Sequence, residues 1–199
     1  MMNQCDGCRA GIPVVDGKHQ MGPKQKYSDY MVCTKDKYVE PSIKLFLDQD
    51  GVLADFDARK REVFGTDHVP DGILWNVINK YFPKYFEELL PMGGMRQLWD
   101  FCRSFNPTIL TAIPKININQ IDEQKRQWVW HWLGEEVPMI FCRRIEKQNY
   151  CTGPDCVLID DNHKNCKEWR DKGGKAIQHV SAEKSIVHLK HFILLLQGL

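Results

Sequence analysis

The chain has 199 residues, of which 43% are hydrophobic and 27% charged, and its formal net charge is +1. That length suits one ordinary domain with at most a small appendage, and the apolar content is sufficient for a real core. The nearly neutral charge argues against a general binder of nucleic acid or of anionic membranes.

The first forty residues differ in composition from the rest of the chain, being rich in glycine, lysine and polar residues. They contain a CxxC pair followed by a histidine and a further cysteine, which are Cys5, Cys8, His19 and Cys33. This set could form a tetrahedral Cys3His zinc site, and small segments with few apolar residues often need such a staple to fold. For residues 1–40 we therefore expect either a zinc module or a flexible tail with incidental cysteines.

The opening residues, MMNQCDGCRAG, lack the apolar run of a signal peptide, and no run approaches the roughly 18 apolar residues of a membrane span. Five further cysteines are scattered through the remainder of the chain. Without a secretory signal we expect free thiols or metal ligands rather than a disulfide framework. We also expect no membrane association and a cytoplasmic protein.

From residue 43 onward, short apolar runs alternate with longer helical patterns. The predicted strands are IKLFLD (43–48), PTILTAI (107–113), VPMIFC (137–142), CVLIDD (156–161) and KAIQHV (175–180). Between them, MRQLWDFCRSF, DEQKRQWVWHWLG and HKNCKEWRDKGG have apolar residues at helical spacing, and Gly134 and Gly173 stand at expected helix ends. This alternation predicts that residues 41–199 form an α/β domain with a doubly wound, Rossmann-like parallel sheet covered by helices on both faces.

The segment at about 58–91 is too long and too aromatic for a single crossover helix. We interpret it as a small helical cap inserted after the first strand and packed over one end of the sheet. The alternative is a longer surface excursion whose aromatic rings fill a small core of their own.

Polar side chains stand at the ends of several predicted strands. Asp48 and Asp50 have the i, i+2 spacing that points both side chains the same way, Thr111 ends the second strand, and Asp160 and Asp161 end the fourth. In open parallel sheets, ligands bind beyond the carboxyl ends of the strands. Converging carboxylates would repel one another without a cation, and oxygen ligands favour Mg²⁺. Thr111, with Lys147 in the following loop, adds a hydroxyl donor and a positive charge for phosphate, so the pattern indicates phosphoryl transfer.

Each of these features has a simpler explanation when taken alone. DxDG is common in surface loops, most lysines are solvated, and a threonine can be an ordinary strand residue. The spacing does not fit a calcium-binding EF-hand, because Gly51 comes at the fourth position. The combination, in chain order at strand ends, is more informative than its parts.

The motifs LFLDQDGVLADF, ILTAIP, Lys147 and VLIDDN resemble the four motifs of the haloacid dehalogenase-like (HAD) hydrolase superfamily. DxDGVLADF, followed by a helical insertion, is closest to the 5'(3')-deoxyribonucleotidase family. YFEELLPMGGM (85–95) and EQKRQWVWHWLG (123–134) also resemble that family's FFxxLxPxPGA and KxxWVxxxxG segments. The resemblance covers about residues 43–180.

This resemblance implies a mechanism through an aspartyl-phosphate. Asp48 would be the nucleophile and Asp50 the general acid and base, while Thr111 and Lys147 would hold the phosphate oxygens. Mg²⁺ would be held by Asp48, Asp161 and the backbone carbonyl of Asp50. Asp160 would be either a further ligand or a neighbour of the ligands. Lys125 matches the lysine of KxxWV, so it is either a phosphate contact or a solvated helix lysine.

The resemblance also implies a small-molecule substrate, a deoxyribonucleoside monophosphate. Cap residues Trp75, Phe82 and Phe86, together with Phe56, are candidates to stack on or enclose its base. Ala112 stands where the family has a serine, so one phosphate-binding hydroxyl is absent. Alternatives are a sugar phosphate or a nucleic-acid 3'-phosphate as substrate, or a non-catalytic module that binds a partner through its N-terminal segment.

Overall fold

The computed structural model describes residues 43–115, 118, 120–134 and 137–196, together with four two-residue strands nearer the N-terminus. The chain divides into two units, Met1–Ser42 and Ile43–Leu199. In the described part of the chain, no helix is long and apolar enough to cross a membrane.

The first unit contains two short antiparallel pairings. Strand β1 (Val14–Val15) pairs with β2 (Lys18–His19), and β3 (Cys33–Thr34) pairs with β4 (Lys37–Tyr38). Cys5 and Cys8 lie outside the described residues, and only the backbone strands that contain His19 and Cys33 are described. The predicted zinc site therefore lies outside the described side chains and stays a prediction.

The second unit is built on a five-stranded sheet. Its strands are β5 (Lys44–Leu47), β6 (Thr108–Ala112), β7 (Met139–Cys142), β8 (Cys156–Asp160) and β9 (Lys175–Gln178), in the order β7-β6-β5-β8-β9. All four pairings are parallel. The chain winds outward from β5 to β7 and then crosses back to β8 on the other side of β5. The doubly wound parallel sheet predicted from the sequence is thus confirmed, and its switch point lies between β5 and β8.

Helices cover both faces of this sheet. They are α3 (Met95–Cys102), α4 (Ile121–Leu133), α5 (His163–Asp171) and α6 (Ala182–Leu196). In the fully buried strand β8, Val157 and Ile159 belong to the main apolar cluster with α3, α4 and α6, whereas Cys156 and Leu158 pack with α5 in a second cluster. This alternation explains why β8 reads as a continuous apolar run, since both of its faces are buried.

An inserted helical segment lies between β5 and α3. It contains α1 (Phe56–Phe64) and α2 (Asp71–Tyr81). The Asp55 carboxylate accepts a hydrogen bond from the Ala58 backbone N–H at 2.9 Å and so caps the start of α1. Helix α1 has no fully buried residue, while α2 buries Leu74 and Ile78. The segment is therefore held mainly by α2 and by the aromatic residues around Tyr85.

Candidate active site

The polar residues predicted at the strand ends meet at one edge of the sheet. Asp48 and Asp50 follow β5, Thr111 lies in β6, and Asp160 and Asp161 lie at the end of β8. Two lysines join them from other elements. Lys147 comes from a 3-10 turn at Arg144–Tyr150, and Lys125 comes from α4. The site is therefore assembled from five separate stretches of chain.

Lys147 connects the ends of β5 and β8. Its Nζ lies 2.6 Å from Asp48 Oδ2 and 2.7 Å from Asp160 Oδ2, and its side chain is only 1% exposed. Burial disfavours the charge, yet the two carboxylates outweigh that effect and raise the pKa of Lys147. Burial also raises the pKa of Asp48 well above its ordinary value, although Lys147 opposes this shift. Lys147 therefore stabilises a buried carboxylate that the protein interior would otherwise destabilise.

The Asp160 carboxylate is saturated with hydrogen bonds. Oδ1 accepts from the Asn162 backbone N–H at 2.9 Å, both oxygens lie 3.0 Å from Asn165 Nδ2, and Oδ2 binds Lys147. A carboxylate has about four lone-pair sites, and these contacts use them. Asp160 therefore orients Lys147 and the start of α5.

A second buried lysine pairs with the other motif carboxylate. Lys125 Nζ lies 2.6 Å from Asp50 Oδ2 and donates to Thr111 Oγ1 at 2.8 Å. Its side chain is 0% exposed, which excludes the solvated helix lysine considered from the sequence. Asp50 Oδ1 is buried and has no hydrogen-bond partner among the described residues. Lys125 thus fixes one carboxylate oxygen of Asp50, while the other oxygen is left for a ligand.

Asp161 approaches the motif turn closely. Gly51 has φ of +78°, and a Cβ built on it would lie 2.5 Å from Asp161 Oδ2. Although Asp161 is exposed at the cavity edge, surrounding protein and then the charge of Asp160 raise the pKa of its carboxyl to about 6. Gly51 is therefore needed both for the left-handed turn and for the space that Asp161 occupies.

Asp48, Asp160 and Asp161 could hold a metal ion, because they offer oxygen atoms that all lie within 4.8 Å of one another. Together with Asp50, four carboxylates face two lysine ammonium groups, so two negative charges are left uncompensated. A divalent cation would balance them, and oxygen-only donors suit a hard cation. The charge and the oxygen donor atoms of these residues therefore fit a bound Mg²⁺ ion.

A cavity of about 720 Å³ is lined by Asp48, Asp50 and Asp161 from this edge, whereas the buried Thr111, Lys125, Lys147 and Asp160 do not line it. Of the residues predicted to contact substrate, Phe56, Trp75, Phe86 and Ala112 line the cavity. Phe82 does not line the cavity, since its ring packs near Tyr85 and under the Arg59 guanidinium. Phe86 is only 1% exposed, with the Lys125 ammonium 4.9 Å from its ring centroid. Phe56 and Trp75 are therefore the rings with surface available to a ligand.

Other lining residues were not singled out from the sequence. They are Lys115, Ile113 and Pro114 after β6, Arg143, Arg144 and Ile145 after β7, Asn162 and Asn165 near the start of α5, and Asp57 and Asp71 in the inserted segment. Asn165 follows Asp161 by four positions in the first turn of α5, a spacing that could have indicated its place at this edge. The basic residues had no local signal, since isolated Lys and Arg are usually solvated.

The sequence matches no protein-family model and no curated protein. Among solved structures, the fold is similar to a HAD-superfamily hydrolase from Ehrlichia chaffeensis, with 13% identity, TM-score 0.42, and 77% of this chain and 97% of that chain covered. It is also similar to a hydrolase from Streptococcus pneumoniae TIGR4, with 11% identity, TM-score 0.42, and coverage of 76% and 98%. A phosphonoacetaldehyde hydrolase-like protein from Oleispira antarctica has 11% identity, TM-score 0.43, and coverage of 85% and 89%. Similarities with such low sequence identities and TM-scores do not identify an activity.

Proposed function

We propose that the protein is a Mg²⁺-dependent phosphatase that hydrolyses phosphate monoesters through an aspartyl-phosphate on Asp48. The observation that carries the proposal is the pair of motif carboxylates, each bound by its own buried lysine at 2.6 Å. A structural role does not require two such lysines, because buried ion pairs contribute little net stability. A site that must hold a nucleophile and then a phosphoryl group does require fixed positive charges.

In this mechanism an Asp48 carboxylate oxygen attacks phosphorus, and the bond from phosphorus to the ester oxygen breaks. Asp50 donates a proton to the departing alcohol. A water molecule then attacks phosphorus, Asp50 takes its proton, and the bond from phosphorus to Asp48 breaks to release inorganic phosphate. Asp50 Oδ1 is suited to these transfers, because Lys125 binds only the other oxygen.

In this proposal Thr111, Lys125 and Lys147 supply the donors to the non-bridging phosphate oxygens. An ammonium group has three donors, and the contacts of each lysine within the protein use two of them. Each lysine therefore keeps one further N–H, and both side chains are buried and do not line the cavity, with exposures of 0% and 1%. Ala112 supplies no hydroxyl, and the second lysine compensates for that missing donor.

Mg²⁺ would be held by Asp48, Asp161 and the backbone carbonyl of Asp50. Asp160 is assigned to positioning, because its acceptor sites are already used. When bound, the cation would neutralise negative charge between the nucleophile and the phosphoryl group.

The inserted segment acts as a cap in this proposal, and a nucleoside monophosphate is the proposed substrate. Phe56 and Trp75 line the cavity with ring centroids 6.1 Å apart, and aromatic stacking tolerates any base. A sugar phosphate would have less use for these rings. A non-catalytic binding module is disfavoured, because it would need neither the buried lysines nor the unpaired Asp50 oxygen.

The test is a panel of phosphate esters assayed with and without Mg²⁺. We expect release of phosphate that requires Mg²⁺, is abolished by Asp48→Asn, and is fastest with nucleoside monophosphates. Dependence on Asp48 with a clear preference for sugar phosphates would retain the phosphatase and reject the nucleotide. Turnover that persists in purified Asp48→Asn would reject the mechanism.

A further inference from the structure

Three basic residues line the cavity but have no part in the proposed chemistry. Lys115 comes from the loop after β6, and Arg143 and Arg144 follow β7. They are separate from Lys125 and Lys147, which are bound to the motif carboxylates. The cavity wall therefore carries a group of basic residues that is separate from the two buried lysines of the carboxylate edge.

Arg144 is anchored by neighbouring side chains. Its Nη1 donates to Asn165 Oδ1 at 3.0 Å and to Glu168 Oε2 at 3.1 Å, and Nη2 lies 3.4 Å from Glu168 Oε1. A guanidinium has five N–H groups, so at least two are left for a ligand. Because the side chain is already fixed, binding an anion would cost it little further conformational entropy.

Arg143 and Lys115 are the other two basic lining residues, and the Glu146 carboxylate accepts a hydrogen bond from the Arg143 backbone N–H at 2.8 Å. Among the described residues, neither forms a salt bridge with a carboxylate. The acidic lining residues of the inserted segment are Asp57, which is paired with Lys60 at 2.6 Å, and Asp71 in the first turn of α2. The three basic lining residues thus come from the sheet loops, whereas the inserted segment contributes only acidic charge to the lining.

We propose that Arg144, together with Arg143 and Lys115, forms an anion subsite for a second phosphate carried by the leaving group of the substrate. This inference rests on the proposed function and narrows its substrate class to phosphate monoesters with a second phosphate. Two sources have that chemistry. One is a small bisphosphate, and the other is the terminal phosphate of an oligonucleotide, in which the adjacent phosphodiester supplies the second charge.

Kinetics on matched substrates test the subsite. A nucleoside 5'-monophosphate, the corresponding 3',5'-bisphosphate and a dinucleotide with a terminal phosphate are compared. We expect the second phosphate to raise kcat/KM at least about tenfold, mainly through KM, because charge-assisted hydrogen bonds to phosphate are strong. Preference for the bisphosphate or for the dinucleotide identifies the source. Equal kcat/KM for all three overturns the inference and leaves the phosphatase standing.

Variants connect that preference to the named residues. Arg143→Gln and Lys115→Gln should each reduce the advantage of the second phosphate, and the double variant should reduce it further. Lys184→Gln, which removes one exposed charge of α6 outside the cavity lining, is the control for net charge and should keep the advantage. Arg144 is left unchanged because its side chain also holds Asn165. An undiminished advantage in the double variant would overturn the assignment.

Calorimetry separates this inference from the proposed function. Asp48→Asn removes the nucleophile, so binding of the monophosphate and the bisphosphate can be measured without turnover. If Asp48→Asn binds the bisphosphate more tightly than the monophosphate, and adding Arg143→Gln and Lys115→Gln reduces that difference, the subsite is supported. This conclusion holds even if the wild type hydrolyses no ester. Equal affinities reject the subsite, whatever the wild type hydrolyses.

Discussion

Gly51 and Asp161 are packed so closely that no side chain fits between them, since a Cβ on Gly51 would lie 2.5 Å from Asp161 Oδ2. Gly51→Ala must therefore displace Asp161, in addition to straining a backbone with φ of +78°. We expect weaker Mg²⁺ affinity and a loss of kcat of at least about a hundredfold, while stability falls by about 1–2 kcal/mol. Mg²⁺ titration of activity and urea unfolding measure the two effects.

Gly65 provides the matched control for this substitution. It also has positive φ, +69°, but a Cβ there meets no atom within 4 Å. Gly65→Ala should cost similar backbone strain and leave the Mg²⁺ titration unchanged. An unchanged Mg²⁺ requirement in Gly51→Ala would show that Asp161 is not a ligand.

Lys147 is expected to matter for stability as well as for catalysis. Lys147→Met preserves most of the side-chain volume but leaves Asp48 and Asp160 buried without their shared cation. Breaking a buried pair in this way costs about 3–5 kcal/mol. Because burial raises the pKa of Asp48 and its proton uptake relieves the repulsion, the loss should be larger at pH 8 than at pH 5, as urea unfolding at the two values would measure.

A second change tests whether that loss is electrostatic. Adding Asp160→Asn to Lys147→Met removes one of the two buried, unpaired carboxylates and should recover part of the stability. A double-mutant cycle gives the coupling between the two residues. If the losses are simply additive, the ion pair is not the cause.

The sheet could be predicted from the sequence because its signals are local. Apolar runs and the glycines at helix ends identify strands and helices, and the switch point then brings the strand-end carboxylates together. The boundaries of the strands were predicted less accurately than their number and order. β7 starts at Met139 rather than at residue 137, because Pro138 has no N–H for the ladder.

The cavity wall could not be predicted to the same extent. Lys125 is 75 positions from Asp50, and only the resemblance to KxxWV pointed to it. Which aromatic rings line the cavity depends on how α1 and α2 pack, so composition alone could not separate Phe82 from Phe56. Arg144 likewise needed the partners Asn165 and Glu168 to distinguish it from a solvated arginine.

Tyr85 carries a buried hydroxyl for which the described part of the chain provides no hydrogen-bond partner. The side chain is 0% exposed and packs against Phe56 and Phe86, with centroid distances of 5.7 and 5.3 Å. An unpaired buried hydroxyl is unfavourable, so Tyr85→Phe should be neutral or stabilise the fold by about 1 kcal/mol. Tyr85→Ala, which also removes the ring, should destabilise it by about 3–5 kcal/mol. Thermal unfolding compares them, and a clear loss in Tyr85→Phe would mean that the hydroxyl has a partner.

His179 gives the fold a specific sensitivity to acid. It is 5% exposed, and its Nδ1 lies 2.9 Å from Ser185 Oγ. Burial lowers the pKa of His179, while the charge of Glu183 opposes that shift. The unfolded chain therefore takes up a proton near the ordinary value of about 6.5, and the folded protein does so only at lower pH. As pH falls below about 6.5, this difference favours unfolding, with a limiting slope of about 1.4 kcal/mol per pH unit.

His179→Asn retains a polar atom near Ser185 and removes the titration. Other groups, including Asp161, also titrate in this range, so the useful quantity is the difference in unfolding free energy between wild type and variant at each pH. We expect the variant to become more stable relative to the wild type as the pH is lowered from 7 to 5. His188→Asn removes an exposed histidine of α6 and is the control. A difference that does not vary with pH would show that His179 takes up its proton equally in the folded and unfolded states.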